Sequence, residues 1–211
     1  MENMKIIAMI PARMGSQRIP KKNIRLLDNK PLIQYPIDLC LKSNLFDEVW
    51  INTESEALGR AGEKFGARFH KRPEELSSNN ATNREFTYEF LKNHICEYVV
   101  MANPTSPLIR AETLAKFIEY LKEGGFDTVL SVAEDKTETF FRGKPINFPL
   151  EEKINSQFIE PIKTVLWALT AWKRKPFIER QEAGINPIFA GSLGLFTIPK
   201  DEAADIDTEE D

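Results

Sequence analysis

Four short stretches of the chain are almost unbroken in apolar character: "IIAMI" (6–10), "EVWINT" (48–53), "YVVMA" (98–102) and "DTVLSVA" (127–133). Such runs are expected of strands covered on both faces, where the alternation of a half-exposed strand disappears. Between them the period changes. In "RAETLAKFIEYLKEGG", Leu114, Phe117, Ile118 and Leu121 recur at helical spacing, and Gly124 and Gly125 supply the stop. "PLIQYPIDLCLKS" and "EALGRAGEKFG" also predict helices, the second ending at Gly66. Strand and helix therefore alternate. The pattern predicts an α/β fold: a Rossmann-like, mainly parallel sheet with right-handed crossovers and helices on both faces, binding its ligands beyond the carboxyl ends of the strands.

After Ala133 the pattern loosens. Residues 134–163 carry Pro145, Pro149 and Pro161 among many polar residues without a clear period, which predicts an inserted arm or lid. "TVLWALTAW" and "GSLGLFTI" then restore strand character, and the chain ends in the acidic "DEAADIDTEED". With 211 residues and no internal repeat, 1–211 reads as one domain with that arm.

Composition narrows the function classes. The net charge is -4, which speaks against sequence-independent nucleic-acid binding. Neither a signal-peptide pattern nor an apolar run long enough to span a membrane is evident. The two cysteines, Cys40 and Cys96, sit among apolar neighbours and read as small buried hydrophobes, as in a reducing cytoplasm.

Against this acidic background the loop after the first strand is locally basic. Arg13, Arg18, Lys21, Lys22 and Arg25 stand there with Gly15, Ser16 and Asn23. Gly15 lets backbone approach a ligand, exposed N–H groups form an anion-binding concavity, and the cations add charge-assisted hydrogen bonds of about 1.5–3 kcal/mol each. Neither a P-loop nor a GxGxxG fingerprint is present. A phosphate cradle is one reading and a solvated connector the other. In "DIDTEED", Asp205 and Asp207 are one residue apart, so in an extended segment both carboxylates project to one side, where a hard cation such as magnesium relieves their repulsion; the plain alternative is a solvated acidic end. "NNATN" suits an Asx-rich helix cap, the run 167–172 a core strand, and His70 and His94 are lone histidines without ligand spacing.

Several stretches together resemble the acylneuraminate cytidylyltransferase family, which makes CMP-activated sialic and related nonulosonic acids and, more distantly, CMP-Kdo. "IPARMGSQRIPKKN" is similar to its N-terminal nucleotide signature, "KRPEELSSNNAT" to the loop that follows, "NPTSPL" to its third motif and "DIDTEED" to its metal motif. The resemblance implies a nucleotide-diphospho-sugar transferase type of fold. It implies a cytidylyltransferase, in which the anomeric hydroxyl of a sugar acid attacks the α-phosphorus of CTP and releases pyrophosphate. It also implies a homodimer in which the 134–163 arm packs on, or reaches over, the partner's site.

On the resemblance, Arg13 contacts the triphosphate, Lys22 neutralises it, and Ala12, Gly15 and Ser16 line the turn. Asn23, Arg72, Thr82, Asn83 and Asn103 are nucleotide contacts, and Asp205 and Asp207 hold Mg2+. Arg13, Lys22 and Asp207 are the catalytic candidates, the proton acceptor being a metal-associated aspartate or metal-bound hydroxide. Two departures stand out: Asn103 occupies a position where the family usually has Gln, and "EPIKTVLWALTAWKR" replaces the usual Arg-rich and Asn-Gly sugar contacts. Trp167, Thr170 and Trp172 are therefore expected to wall the sugar site. A metal-dependent glycosyltransferase-like enzyme and a non-catalytic nucleotide-binding protein of this fold are the alternatives.

Overall fold

A computed structural model describes residues 4–211. Its strands are β1 (Ile6–Pro11), β2 (Leu26–Leu27), β3 (Lys30–Pro31), β4 (Glu48–Thr53), β5 (Arg68–Lys71), β6 (Tyr98–Ala102), β7 (Thr128–Asp135), β8 (Phe140–Phe141), β9 (Lys144–Pro145), β10 (Ile162–Lys173) and β11 (Leu193–Thr197). The helices are α1 (Gln34–Ser43), α2 (Glu56–Lys64), α3 (Asn83–Asn93), α4 (Ala111–Gly124) and α5 (Arg174–Glu182). Seven strands form one sheet in the order β11-β7-β10-β6-β1-β4-β5. Only β10 runs antiparallel to its neighbours, so the expected Rossmann-like, mainly parallel sheet is borne out.

The apolar runs explain the layers. Successive β1 side chains point to opposite faces: Ile6, Ala8 and Ile10 join one buried cluster with Ile37 of α1, Leu58 of α2 and Phe117 of α4, while Ile7 and Met9 join a second with Phe86 and Phe90 of α3 and Phe177 of α5. Helices therefore cover both faces. Strand order reverses at β1, which has β4 on one side and β6 on the other, and this switch opens a crevice beyond its carboxyl end.

The arm is shorter than the sequence pattern suggests. Glu134 and Asp135 still belong to β7, and Ile162 and Lys163 to β10, where they pair across the ladder, so the insertion proper is 136–161. Its β8–β9 ribbon turns at Arg142 and Gly143, both at positive φ.

β10 is interrupted. Val165 pairs with Val132 and Thr170 with Leu130, so the intervening 166–169 bulge out of register with β7, while Leu169 keeps its pairing with Ala102 of β6. Trp167 takes up the excess with φ of 60°, in the left-handed region. Leu169 N–H donates to Ser131 Oγ at 3.0 Å, and the Ala168 carbonyl accepts from Asn103 N–H at 3.0 Å, anchoring the bulge to both neighbouring strands.

Candidate active site

The loop after β1 lines a cleft of about 470 Å³ at the switch point. Eight of the expected residues meet there: Ala12, Arg13, Ser16, Lys22, Asn23, Arg72, Asn83 and Asn103. Arg18, a cation of the basic loop read from the sequence, joins them, and Gln17, Asn79, Phe86 and Thr105 join from outside the sequence expectation. Four cations thus face one concavity on a chain of negative net charge, an arrangement for binding an anion.

Each wall is fixed from below. Glu54 Oε1 accepts from Met14 N–H at 2.8 Å, and the buried Asn23 amide donates to the Arg13 carbonyl at 2.9 Å, so the loop's path is set before a ligand arrives. Arg13 reaches across the cleft to the Ser78 carbonyl at 3.2 Å and Asn79 Oδ1 at 3.0 Å. Arg72 is 3% exposed and spends its fork on Asn52 Oδ1, the Ala12 carbonyl and the Leu76 carbonyl, while stacking on Phe86 at 4.6 Å. Burial pulls its pKa down to about 10 against the pull of Glu54 and Glu89. Arg72 therefore organises the cleft as well as lining it. Asn103 Oδ1 accepts from Thr105 N–H at 3.4 Å, which leaves its amide N–H groups as the free donors.

The acidic segment closes one end. Ile206 N–H donates to the Thr105 carbonyl at 2.8 Å, and the Ile206 carbonyl accepts from Lys22 Nζ at 2.7 Å. Asp207 Oδ1 lies 2.8 Å from Arg18 and 3.2 Å from Lys22. Asp205 is exposed and makes no ion pair or hydrogen bond among the described residues. Only one carboxylate of the pair engages the loop, and among the described residues no group of three or more His, Cys, Asp or Glu side chains is arranged to hold a metal ion. Two carboxylates beside a cationic anion site do suit a hard cation that shares its shell with phosphate oxygens.

A second cleft, of about 410 Å³, adjoins the first through Asn83. Trp167, Ile188 and Phe189 give it an apolar wall, the two aromatic rings 5.7 Å apart, with Asn186 as a polar group. Trp167 owes this position to its left-handed backbone in the bulge.

Several expectations need correction. Trp172 is fully buried, packs on Phe177 and donates its indole N–H to the Ile188 carbonyl at 3.2 Å, so it is core and not a sugar wall. Thr170 is also fully buried, its hydroxyl without a partner inside the sheet. Both lie back in register beyond the bulge, which sends only Trp167 outward. Thr82 is the N-cap of α3 in a capping box with Glu85, and it lines the second cleft, not the first. Gly15 is exposed, lies outside the lining of the first cleft and is not among the glycines at positive φ. His70 and His94 are not lone: His94 Nε2 lies 3.0 Å from His70 Nδ1, and His70 Nε2 lies 2.7 Å from Glu89. The thiols behave as expected, burial pushing Cys40 and Cys96 each up to about 12.

A family model described as cytidylyltransferase matches residues 7–158. An N-acylneuraminate cytidylyltransferase of Escherichia coli is 42% identical over 108 residues, 49% of this chain and 25% of that protein. The CMP-N,N'-diacetyllegionaminic acid synthase of Legionella pneumophila is 34% identical over 136 residues, 62% of this chain and 58% of that protein. The chain thus spans less than two thirds of these relatives' length. A solved CMP:2-keto-3-deoxy-manno-octonic acid synthetase complexed with CTP shares the fold, with a TM-score of 0.71 at 17% identity over 98% of this chain and 94% of that one. The family match covers the strands and loops that build the first cleft, and it shows that this chain belongs to the cytidylyltransferase family.

Proposed function

We propose that the chain transfers the CMP moiety of CTP to the anomeric hydroxyl of a nonulosonic acid and releases pyrophosphate. The observation that carries this reading is the convergence of Arg13, Arg18, Lys22 and Arg72 on one cleft at the sheet's switch point, in a chain matching the cytidylyltransferase family. Relatives named for N-acylneuraminate and N,N'-diacetyllegionaminic acid support the class of sugar acid.

In this reading Arg13 and Lys22 bind the triphosphate and stabilise the negative charge that moves onto the leaving pyrophosphate. The backbone at Ala12 and Ser16 follows the phosphates, with Asn23 holding the turn. Asn83 and the amide of Asn103 face the nucleoside, and the Arg72 to Phe86 stack supports its base end. The second cleft takes the sugar acid, Trp167 and Phe189 packing against less polar substituents such as acetamido or deoxy groups. Adjacent clefts sharing Asn83 hold hydroxyl and α-phosphorus together, where orientation supplies much of the rate.

Asp205 and Asp207 are the residues that would hold Mg2+. Bound there, the ion supplies further charge neutralisation at the phosphates. Homodimerisation belongs to the same proposal: the arm exposes Phe140, Phe141, Ile146, Leu150 and Phe158, each more than half accessible, and a second copy is the occupant we assign to them. The two free thiols suit a reducing cytoplasm, and no helix of the described residues is long and apolar enough to cross a membrane.

The test is to incubate the chain with magnesium, N-acetylneuraminate or a legionaminic acid, and CTP labelled at the α-phosphorus. Label in a CMP-sugar supports the proposal. Label recovered only in CTP, with the nucleotide bound, favours a non-catalytic nucleotide-binding protein of this fold. Deletion of 136–161 is expected to give a monomer by light scattering, and a dimer that survives the deletion removes the arm from the interface.

A further inference from the structure

Three of the basic loop's five cations are already paired from within the chain. Lys22 Nζ meets Asp207 Oδ1 at 3.2 Å and the Ile206 carbonyl at 2.7 Å, Arg18 reaches the same carboxylate oxygen at 2.8 Å, and Arg25 pairs with Glu209. The segment has its own supports. Asp211 Oδ2 accepts from the N–H groups of Asp207 and Thr208 at 2.8 and 2.7 Å, and Ile206 N–H is bound to the Thr105 carbonyl. The Lys22 side chain is only 13% exposed, so water does not replace a lost counter-charge there.

Two roles therefore meet on one carboxylate. An anion entering the cleft competes with Asp207 for Lys22 and Arg18, whereas a cation captured by Asp207 draws the carboxylate's charge away from both. A cation held by Asp207 would therefore loosen the same ion pairs that occupy Lys22 and Arg18.

We propose that Asp207 is an electrostatic latch: the 205–211 segment stands in for a polyphosphate until a divalent cation captures Asp207, so that polyphosphate binds strongly only together with the cation. The identity of the anion rests on the proposed function; the latch itself rests on the ion pairs.

A carboxylate that only repels phosphate would also oppose binding without metal, and Asp205 separates the two explanations. It carries the same charge two residues away and engages none of the described cations. The experiment is calorimetry on the full chain with CTP and with inorganic tripolyphosphate, each with EDTA and with magnesium, for wild type, Asp207→Asn, Asp207→Ser and Asp205→Asn.

With EDTA, both Asp207 variants are expected to bind the two anions about three- to fivefold more tightly than wild type, the size of one partly exposed ion pair. In EDTA, where no metal engages it, Asp205→Asn is expected to stay within about twofold of wild type, and magnesium is expected to tighten binding in wild type but not in the Asp207 variants. Asp207 variants no tighter than wild type in EDTA, or an equal gain from Asp205→Asn, overturn the latch and leave the nucleotide reading standing. The expected pattern with tripolyphosphate but no binding of CTP supports the latch and overturns the cytidine reading. Absence of binding of either anion to wild type with magnesium overturns both.

Discussion

Arg72 Nε and Asn52 Oδ1 are hydrogen-bonded at 2.9 Å inside the fold, joining the end of β5 to the end of β4 beneath the cleft. The same guanidinium takes the Ala12 carbonyl at 3.1 Å, so one buried cation ties three consecutive strand ends of the sheet to each other. No carboxylate contacts it among the described residues; backbone and amide oxygens satisfy its donors.

Arg72→Met is therefore expected to destabilise the fold by roughly 2–4 kcal/mol, because the oxygens it leaves behind are buried and unpaired. That corresponds to a melting temperature about 10 °C lower for a chain of this size. Arg72→Lys keeps the charge without the fork and is expected to recover less than half of the loss. Thermal melts of the two variants check this, and a melt unchanged in Arg72→Met would show that the guanidinium does not hold the strand ends.

The two tryptophans of β10 are expected to part company on substitution. Trp172→Ala empties a fully buried site between the sheet and α5 and costs about 3–5 kcal/mol. Trp167→Ala removes a half-buried ring from the second cleft and leaves the left-handed backbone as it was, since alanine keeps the Cβ, so stability is expected to change by less than about 1 kcal/mol while the apparent KM for the sugar acid rises. Chemical denaturation and steady-state kinetics check the pair. Equal destabilisation by both would return Trp167 to the core.

This division marks where the sequence stops being legible. The apolar run of 167–172 carries the residue types of one continuous core strand, and nothing in it announces that 166–169 leave the register. The bulge is decided by contacts with Ser131 and Asn103, far away in the chain. By contrast, β1, β4, β6, β7, α1, α2 and α4 were all readable, since each carries its own period. The basic loop and Asp207 were readable as opposite charges without visible partners. Their meeting, the choice of Asp207 over Asp205, and the roles of Glu54, Phe86 and Asn79 required tertiary placement. Thr82 illustrates a different difficulty: a capping box and a ligand contact use the same residue types.

The paired histidines predict a pH dependence. Burial first, and the neighbouring His70 second, lower the pKa of His94 from an ordinary 6.5 to about 4, with Glu48 and Glu89 opposing and Lys5 assisting. Between these values the unfolded chain binds the proton and the native chain does not, so stability present above pH 6.5 is lost as pH falls toward 4. His94→Gln is expected to flatten the slope of melting temperature against pH in that window. A slope as steep as wild type would assign the acid sensitivity to other groups.

The most direct measurement is pyrophosphate release in a panel crossing CTP, UTP, GTP and ATP with N-acetylneuraminic, legionaminic and pseudaminic acids and Kdo, in the presence of magnesium. Turnover is expected with CTP and at least one nonulosonic acid. In that pair Arg13→Ala is expected to lower kcat by about 10²- to 10³-fold with little change in KM for the sugar acid, because its charge matters most as the leaving phosphate forms. Preference for a purine triphosphate, or no release of pyrophosphate from any pair, would contradict cytidylyl transfer by this chain.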